Sequence, residues 1–127
     1  MEELTELTAA TLATIQQFNE AFNRHDIEGI MGLMTEDCVF ENTAPAPDGE
    51  RIEGAAAVRG FWERFFAETP RAHFTFYDLF ATGDRAVVRW RYRWADDQPG
   101  QPGHVSGVDI FRLRGNKIAE KLSYVKG

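Results

Sequence analysis

The chain has 127 residues, 43% of them apolar and 13% aromatic, which suits one domain, residues 1–127, whose core needs neither disulfides nor a structural metal. Fourteen basic against twenty acidic side chains leave a net charge of -6, which repels a phosphate backbone and argues against nucleic acid as a partner. The single cysteine, Cys38, excludes an internal disulfide and any multi-thiolate metal site. The polar, acidic segment Met1 to Thr11 lacks signal-peptide features, and no stretch is long enough to span a bilayer, so a cytoplasmic protein with no membrane partner is expected.

Leu12, Ile15, Phe18 and Phe22 recur at spacings of three and four, which predicts a first helix from about Thr5 to Asn23 with that stripe facing the core. Asp26 is a candidate N-cap for a short second helix carrying Ile27, Ile30 and Met34. A brief strand from Cys38 to Asn42 is followed by Thr43 to Arg51, whose Ala-Pro-Ala-Pro-Asp-Gly composition predicts an irregular loop at a pocket rim. Ala55 to Glu68 reads as a third helix with Val58, Phe61, Trp62, Phe65 and Phe66 on one face, ending ahead of Pro70.

The pattern then changes to β-branched and aromatic runs. Phe74 to Phe80, Arg85 to Trp94, His104 to Arg114 and Lys117 to Val125 are separated by Gly83-Asp84, by Ala95 to Gly103 and by Gly115-Asn116. Helices gathered ahead of hairpin-linked strands predict an α+β fold: a curved antiparallel sheet wrapped around helices, with a central pocket.

Asp109 is the position that points most directly to chemistry. Val105, Gly107, Phe111 and Leu113 share its strand face and none is polar, so a carboxyl group there is taken out of water and is suited to proton transfer or hydrogen-bond donation. Gly107 is expected to leave open space beside it. If Trp94 faces His104, Asp109 lies opposite Arg89, and a two-residue turn at Gly83-Asp84 brings Asp78 opposite Arg89 as well. The Asp-Arg-Asp row is then either a structural ion pair or a charged catalytic floor. A one-residue slip would instead remove Arg89 and turn Trp90 and Tyr92 inward.

Asn42 stands next to the rim loop, where its amide either orients a substrate oxygen or a water, or simply starts an Asx-turn. His25, His73 and His104 lie at no metal-ligand spacing, and neither metal nor cofactor is implied.

Four segments, Phe18 to Asp26 (FNEAFNRHD), Thr35 to Phe40 (TEDCVF), Gly107 to Arg112 (GVDIFR) and Gly115 to Glu120 (GNKIAE), make the chain resemble the nuclear transport factor 2-like superfamily. The likeness is to its SnoaL-like branch, with ketosteroid isomerases, polyketide cyclases and limonene-epoxide hydrolases. The resemblance implies a conical α+β barrel, commonly a homodimer. It matches Asp109 to the acid that serves ketosteroid isomerases as an oxyanion-hole donor and SnoaL-like cyclases in acid-base catalysis. Phe18 stands where the isomerases have a tyrosine and Asn42 where they have the general base. The hydrolase triad is also incomplete, since Arg89-Trp90-Arg91 lacks an acid two residues after the arginine and Ser123 takes the other acid's place.

Residues and resemblance together predict acid-base chemistry such as isomerisation, cyclisation or hydration of an apolar small molecule. Asp109 would act as acid and base, Asn42 as the orienting group and Arg89 as the group that holds the acid. Phe18, Phe40, Trp62, Phe66, Phe111 and Tyr124 would form the apolar wall. The alternative is a non-catalytic ligand-binding or dimerisation module of the same fold.

Overall fold

The computed structural model describes residues 1–127. Helix α1 (Glu2–Asn23) and helix α2 (Ile27–Gly32) precede strand β1 (Met34–Glu41) and strand β2 (Arg51–Glu53). Helix α3 (Ala55–Glu68) then leads into β3 (His73–Thr82), β4 (Arg85–Arg93), β5 (His104–Arg114) and β6 (Lys117–Val125). The six strands form one sheet in the order β2-β1-β6-β5-β4-β3. It is curved and open, with β2 and β3 at its edges. The predicted meander β3 to β6 is present, but the sheet is not wholly antiparallel. β1 runs parallel to β6, because α3 and four strands, β2 to β5, separate the two in sequence and return the chain to the same side.

The helices cover the concave face. α1 buries Ile15, Phe18, Ala21 and Phe22, the face its apolar spacing indicated, and α3 buries Val58, Phe61, Trp62 and Phe66. Trp62 is 2% exposed and packs edge-on against Phe18 and Phe22 and flat against Phe40. Side chains of this size contribute about 1.5–3 kcal/mol each when fully buried.

Polar contacts fix how α1 sits. Asn23 behaves like one residue of an added strand, its amide donating to the Phe74 carbonyl at 2.9 Å while its side-chain oxygen accepts from the Phe74 N–H at 2.8 Å. At the other end, Thr11 donates to the Gly83 carbonyl at 2.7 Å and Thr8 accepts from the Gly83 N–H at 2.8 Å. Both backbone groups of Gly83, in the β3-β4 turn, are thereby satisfied by α1. Asp26 caps α2 as expected, accepting from the Gly29 N–H at 2.9 Å. The segment predicted as a rim loop is the connection of a hairpin between β1 and β2, closed by the Asn42 N–H donating to the Glu50 carbonyl at 2.9 Å.

Two registers decide which side chains face the helices. In the β3-β4 hairpin Thr82 pairs with Arg85 and Asp78 with Arg89, as the two-residue turn predicted. In the β4-β5 hairpin His104 pairs with Arg93, not Trp94, and Asp109 therefore lies opposite Val88. The slip turns Trp90 and Tyr92 inward and Arg89 outward. It follows from the connecting loop, where Asp97 accepts from the Gly103 N–H at 2.9 Å and lies 2.7 Å from the His104 ring. Those contacts hold the Asp97 carboxyl down at about 2.

Candidate functional site

Strands β1, β6, β5, β4 and β3 bend around a cavity of about 620 Å³ between the sheet and α3. Its walls are aromatic: Phe40, Phe61, Trp62 and Phe65 on the β1 and α3 side, and Phe74, Trp90, Tyr92 and Trp94 on the other. The hairpin connection after β1 adds Asn42, Thr43 and Ala44 at the rim, with Arg64, Glu68 and Glu50 as charged lining groups.

The polar groups at its base come from β6. Lys121 lines the cavity with Ser123, is 3% exposed, and places its Nζ 3.3 Å from Asp109 Oδ2. Nζ also donates to Ser123 Oγ at 3.0 Å and sits 4.2 Å from the centre of the Phe40 ring. Asp109 is likewise 3% exposed. Its other oxygen, Oδ1, has no hydrogen-bond partner in the protein. Burial lowers the Lys121 ammonium from its ordinary range, and the charge and hydrogen bond of Asp109 pull it back up.

Asp109 is thus buried on the inner face, as its apolar neighbours predicted, but its partner is Lys121 instead of Arg89, and it is Lys121 that borders the cavity. Arg89 is exposed on the outer face beside Tyr77, so it cannot hold the acid. The space expected beside Gly107 is filled: a Cβ there would lie 2.8 Å from the Trp90 ring and 2.2 Å from the Tyr124 carbonyl oxygen. Asn42 lines the cavity, and its side-chain oxygen accepts from the Thr43 N–H at 2.8 Å.

The expected apolar wall divides three ways. Phe40 and Trp62 line the cavity. Phe18, Phe66 and Phe111 are packed in the core behind it, at 4%, 8% and 1% exposure. Tyr124 faces outward and is 53% exposed, because a bulge in β6 opposite Arg112 and Leu113 shifts the strand's phase.

The same shift carries Lys121, which the sequence reading missed, onto the inner face opposite Phe111. Further hydrogen-bond donors belong to the lining. The indole N–H groups of Trp62 and Trp90 are buried without a protein partner, and burial raises the Tyr92 hydroxyl's pKa against an opposing hydrogen bond with Thr69. Buried donors of this kind call for an acceptor.

An open mixed sheet folded over helices around such a cavity defines a pocket protein of the nuclear transport factor 2-like architecture. The family model of the SnoaL-like domain matches residues 15–121, and the chain belongs to that family. Among solved structures, a nuclear transport factor 2-like protein of unknown function from Mesorhizobium loti is 38% identical, covers 94% of this chain and 93% of its own, and superposes with a TM-score of 0.81. A candidate ketosteroid isomerase from Kribbella flavida is 21% identical over 94% of this chain and 80% of its own, with a TM-score of 0.77. A candidate polyketide cyclase from Sinorhizobium meliloti is 19% identical over 88% and 94%, with a TM-score of 0.71. At these lower identities the likeness is one of fold. Among curated proteins no match to the chain is found. No helix is long and apolar enough to cross a membrane.

Proposed function

We propose that the cavity takes up an apolar small molecule carrying a carbonyl or epoxide-like oxygen, and that the Lys121-Asp109 pair serves proton transfer at that oxygen during isomerisation, cyclisation or hydration. The observation that carries this reading is a buried cation bordering an aromatic cavity, with a carboxylate 3.3 Å behind it. In such surroundings a fixed charge stabilises a developing oxyanion far more than it does in water. Lys121 is the group for the oxygen and Asp109 the base that receives or returns its proton. Asn42 has its oxygen engaged with Thr43, so its amide NH₂ is what it offers to a substrate oxygen or a water.

The test is deuterium exchange at the carbon next to the carbonyl of an apolar ketone such as 2-tetralone, followed by NMR. The wild-type protein should accelerate exchange, and replacing the pair by Asp109→Leu with Lys121→Met should lower the rate by about 10²–10³, the usual effect of removing an oxyanion donor. Equal exchange by both proteins would remove the pair from the chemistry.

A non-catalytic binding module has one observation in its favour, that Asp109 is engaged by Lys121 and does not itself border the cavity. Ligand binding with no exchange in the wild-type protein would establish that alternative. Assembly into a homodimer belongs to both readings, and what supports it is the outer face of the sheet, where Tyr77, Phe80 and Tyr124 are 49%, 58% and 53% exposed. Light scattering should give twice the chain mass, and Tyr124→Glu should shift it toward one chain.

A further inference from the structure

From the placement of its amine we infer that Lys121 is a carbonyl-reactive lysine, forming an imine with apolar aryl or conjugated aldehydes and ketones that enter the cavity. The inference rests on the reading of this cavity as a carbonyl-binding chamber and deepens it by naming the substrate class and the atom that reacts.

The chain has three lysines, Lys117, Lys121 and Lys126. Lys117 and Lys126 are exposed, whereas Lys121 is buried and borders the cavity. Aromatic rings stand close about its amine, with Phe40 at 4.2 Å and Trp62 at 5.8 Å. Water is thereby displaced from the amine, and a desolvated lysine in an apolar pocket is the usual form of an imine-forming nucleophile. Asp109 is the carboxylate within 4 Å of Nζ. Glu50, Glu68 and Arg64 are the other charged groups on the cavity lining. β1 and α3 present Phe40 and Trp62 to the amine, and β6 itself presents Ser123.

The local groups also balance the reaction. Asp109 takes a proton from the Lys121 ammonium at Oδ2, the carboxylate oxygen 3.3 Å from Nζ. The freed nitrogen lone pair attacks the carbonyl carbon, and the C=O π electrons move to oxygen. A proton passes from nitrogen to that oxygen to give the carbinolamine. Asp109 then returns its proton to the hydroxyl, which leaves as water while the nitrogen lone pair forms the C=N bond. The sum is one carbonyl compound plus the ammonium giving one protonated imine plus water. The positive charge ends where it began, beside Asp109, so the ion pair is conserved across the step. Ser123 Oγ, 3.0 Å from Nζ, is placed to hydrogen-bond the carbinolamine.

The experiment treats the intact protein at neutral pH with 2-naphthaldehyde and sodium cyanoborohydride, then maps the adducts by peptide mass spectrometry. Reduction fixes the imine as an amine heavier by the aldehyde less one oxygen atom. Lys121 should carry about tenfold or more adduct than Lys117 or Lys126, whose amines stand in water outside the cavity. The unreactive alcohol 2-naphthylmethanol should bind, as seen by saturation-transfer NMR, and should protect Lys121 alone. Equal labelling of the three lysines, or an unlabelled Lys121 in a protein that binds the alcohol, overturns the imine while leaving the chamber standing. A protein that neither binds the alcohol nor labels at Lys121 overturns both.

Discussion

Removing either member of the buried pair alone, by Asp109→Leu or by Lys121→Met, is expected to cost about 3–5 kcal/mol, because each leaves an uncompensated charge in the interior. For a chain of this length that corresponds to a fall of roughly 10–20 °C in Tm. Removing both at once should return the protein to within about 1 kcal/mol of wild type or make it more stable, since two desolvated ions are exchanged for apolar groups of similar volume. The reason lies in the geometry: both residues are 3% exposed, their contact is a single 3.3 Å approach, and Asp109 Oδ1 has no hydrogen-bond partner at all. A pair built for stability would satisfy that oxygen. Urea unfolding of the four proteins in a double-mutant cycle measures the coupling. Additive losses would mean that the two charges do not rely on each other.

This outcome changes how Asp109 is to be examined. As an isolated acid it invites Asp109→Asn as a mutation that stops chemistry and spares the fold. With Lys121 beside it, the same substitution strips the counter-charge from a buried ammonium, and lost activity then has two causes. The double replacement keeps the interior neutral and is the cleaner inactive control.

Most of the architecture was legible because its signals are local. Helix α3 runs from Ala55 to Glu68 as the apolar face and Pro70 indicated, and Asp26 caps α2. The Gly83-Asp84 turn fixed the first hairpin, leaving no freedom between Thr82 and Arg85. The ten-residue connection from Trp94 to Gly103 carries no such constraint, and the β4-β5 register is one residue away from the simplest count. Burial energetics alone could have chosen between the alternatives. One register places Ala86, Val88, Trp90 and Tyr92 against the helices, while the other places Arg85, Val87, Arg89 and Arg91 there, three cations of which only Arg89 is offered carboxylates.

Lys121 and Tyr124 exchanged roles for a similar reason. Strict alternation from buried Ile118 puts Glu120, Leu122 and Tyr124 inward and Lys121 outward. The bulge at Ala119 reverses that phase, so that Lys121 is buried and Tyr124 exposed. A bulge has no reliable signature in a single strand of sequence, whereas its effect extends to every residue after it. The site was therefore half visible: the acid stood out in an apolar row, and its partner was concealed by one extra residue in the neighbouring strand.

The pH dependence of Asp109→Asn should separate a structural loss from an electrostatic one. Burial lowers the Lys121 ammonium below its ordinary value of 10.5, against the opposing pull of Asp109. The unfolded chain therefore holds this proton more tightly than the folded one, and stability at this site rises with pH. The penalty is fully present below the folded pKa and is relieved as pH climbs from there toward 10.5. Asp109→Asn removes the opposing pull, which lowers the folded pKa further, enlarges the penalty at neutral pH and starts its relief at a lower pH. Urea unfolding from neutral pH to about 10 should show the deficit of Asp109→Asn relative to wild type shrinking steadily, since groups common to both proteins cancel in the difference. A deficit that stays constant across the range would mean that the variant suffers from packing alone and that Lys121 does not depend on the charge of Asp109.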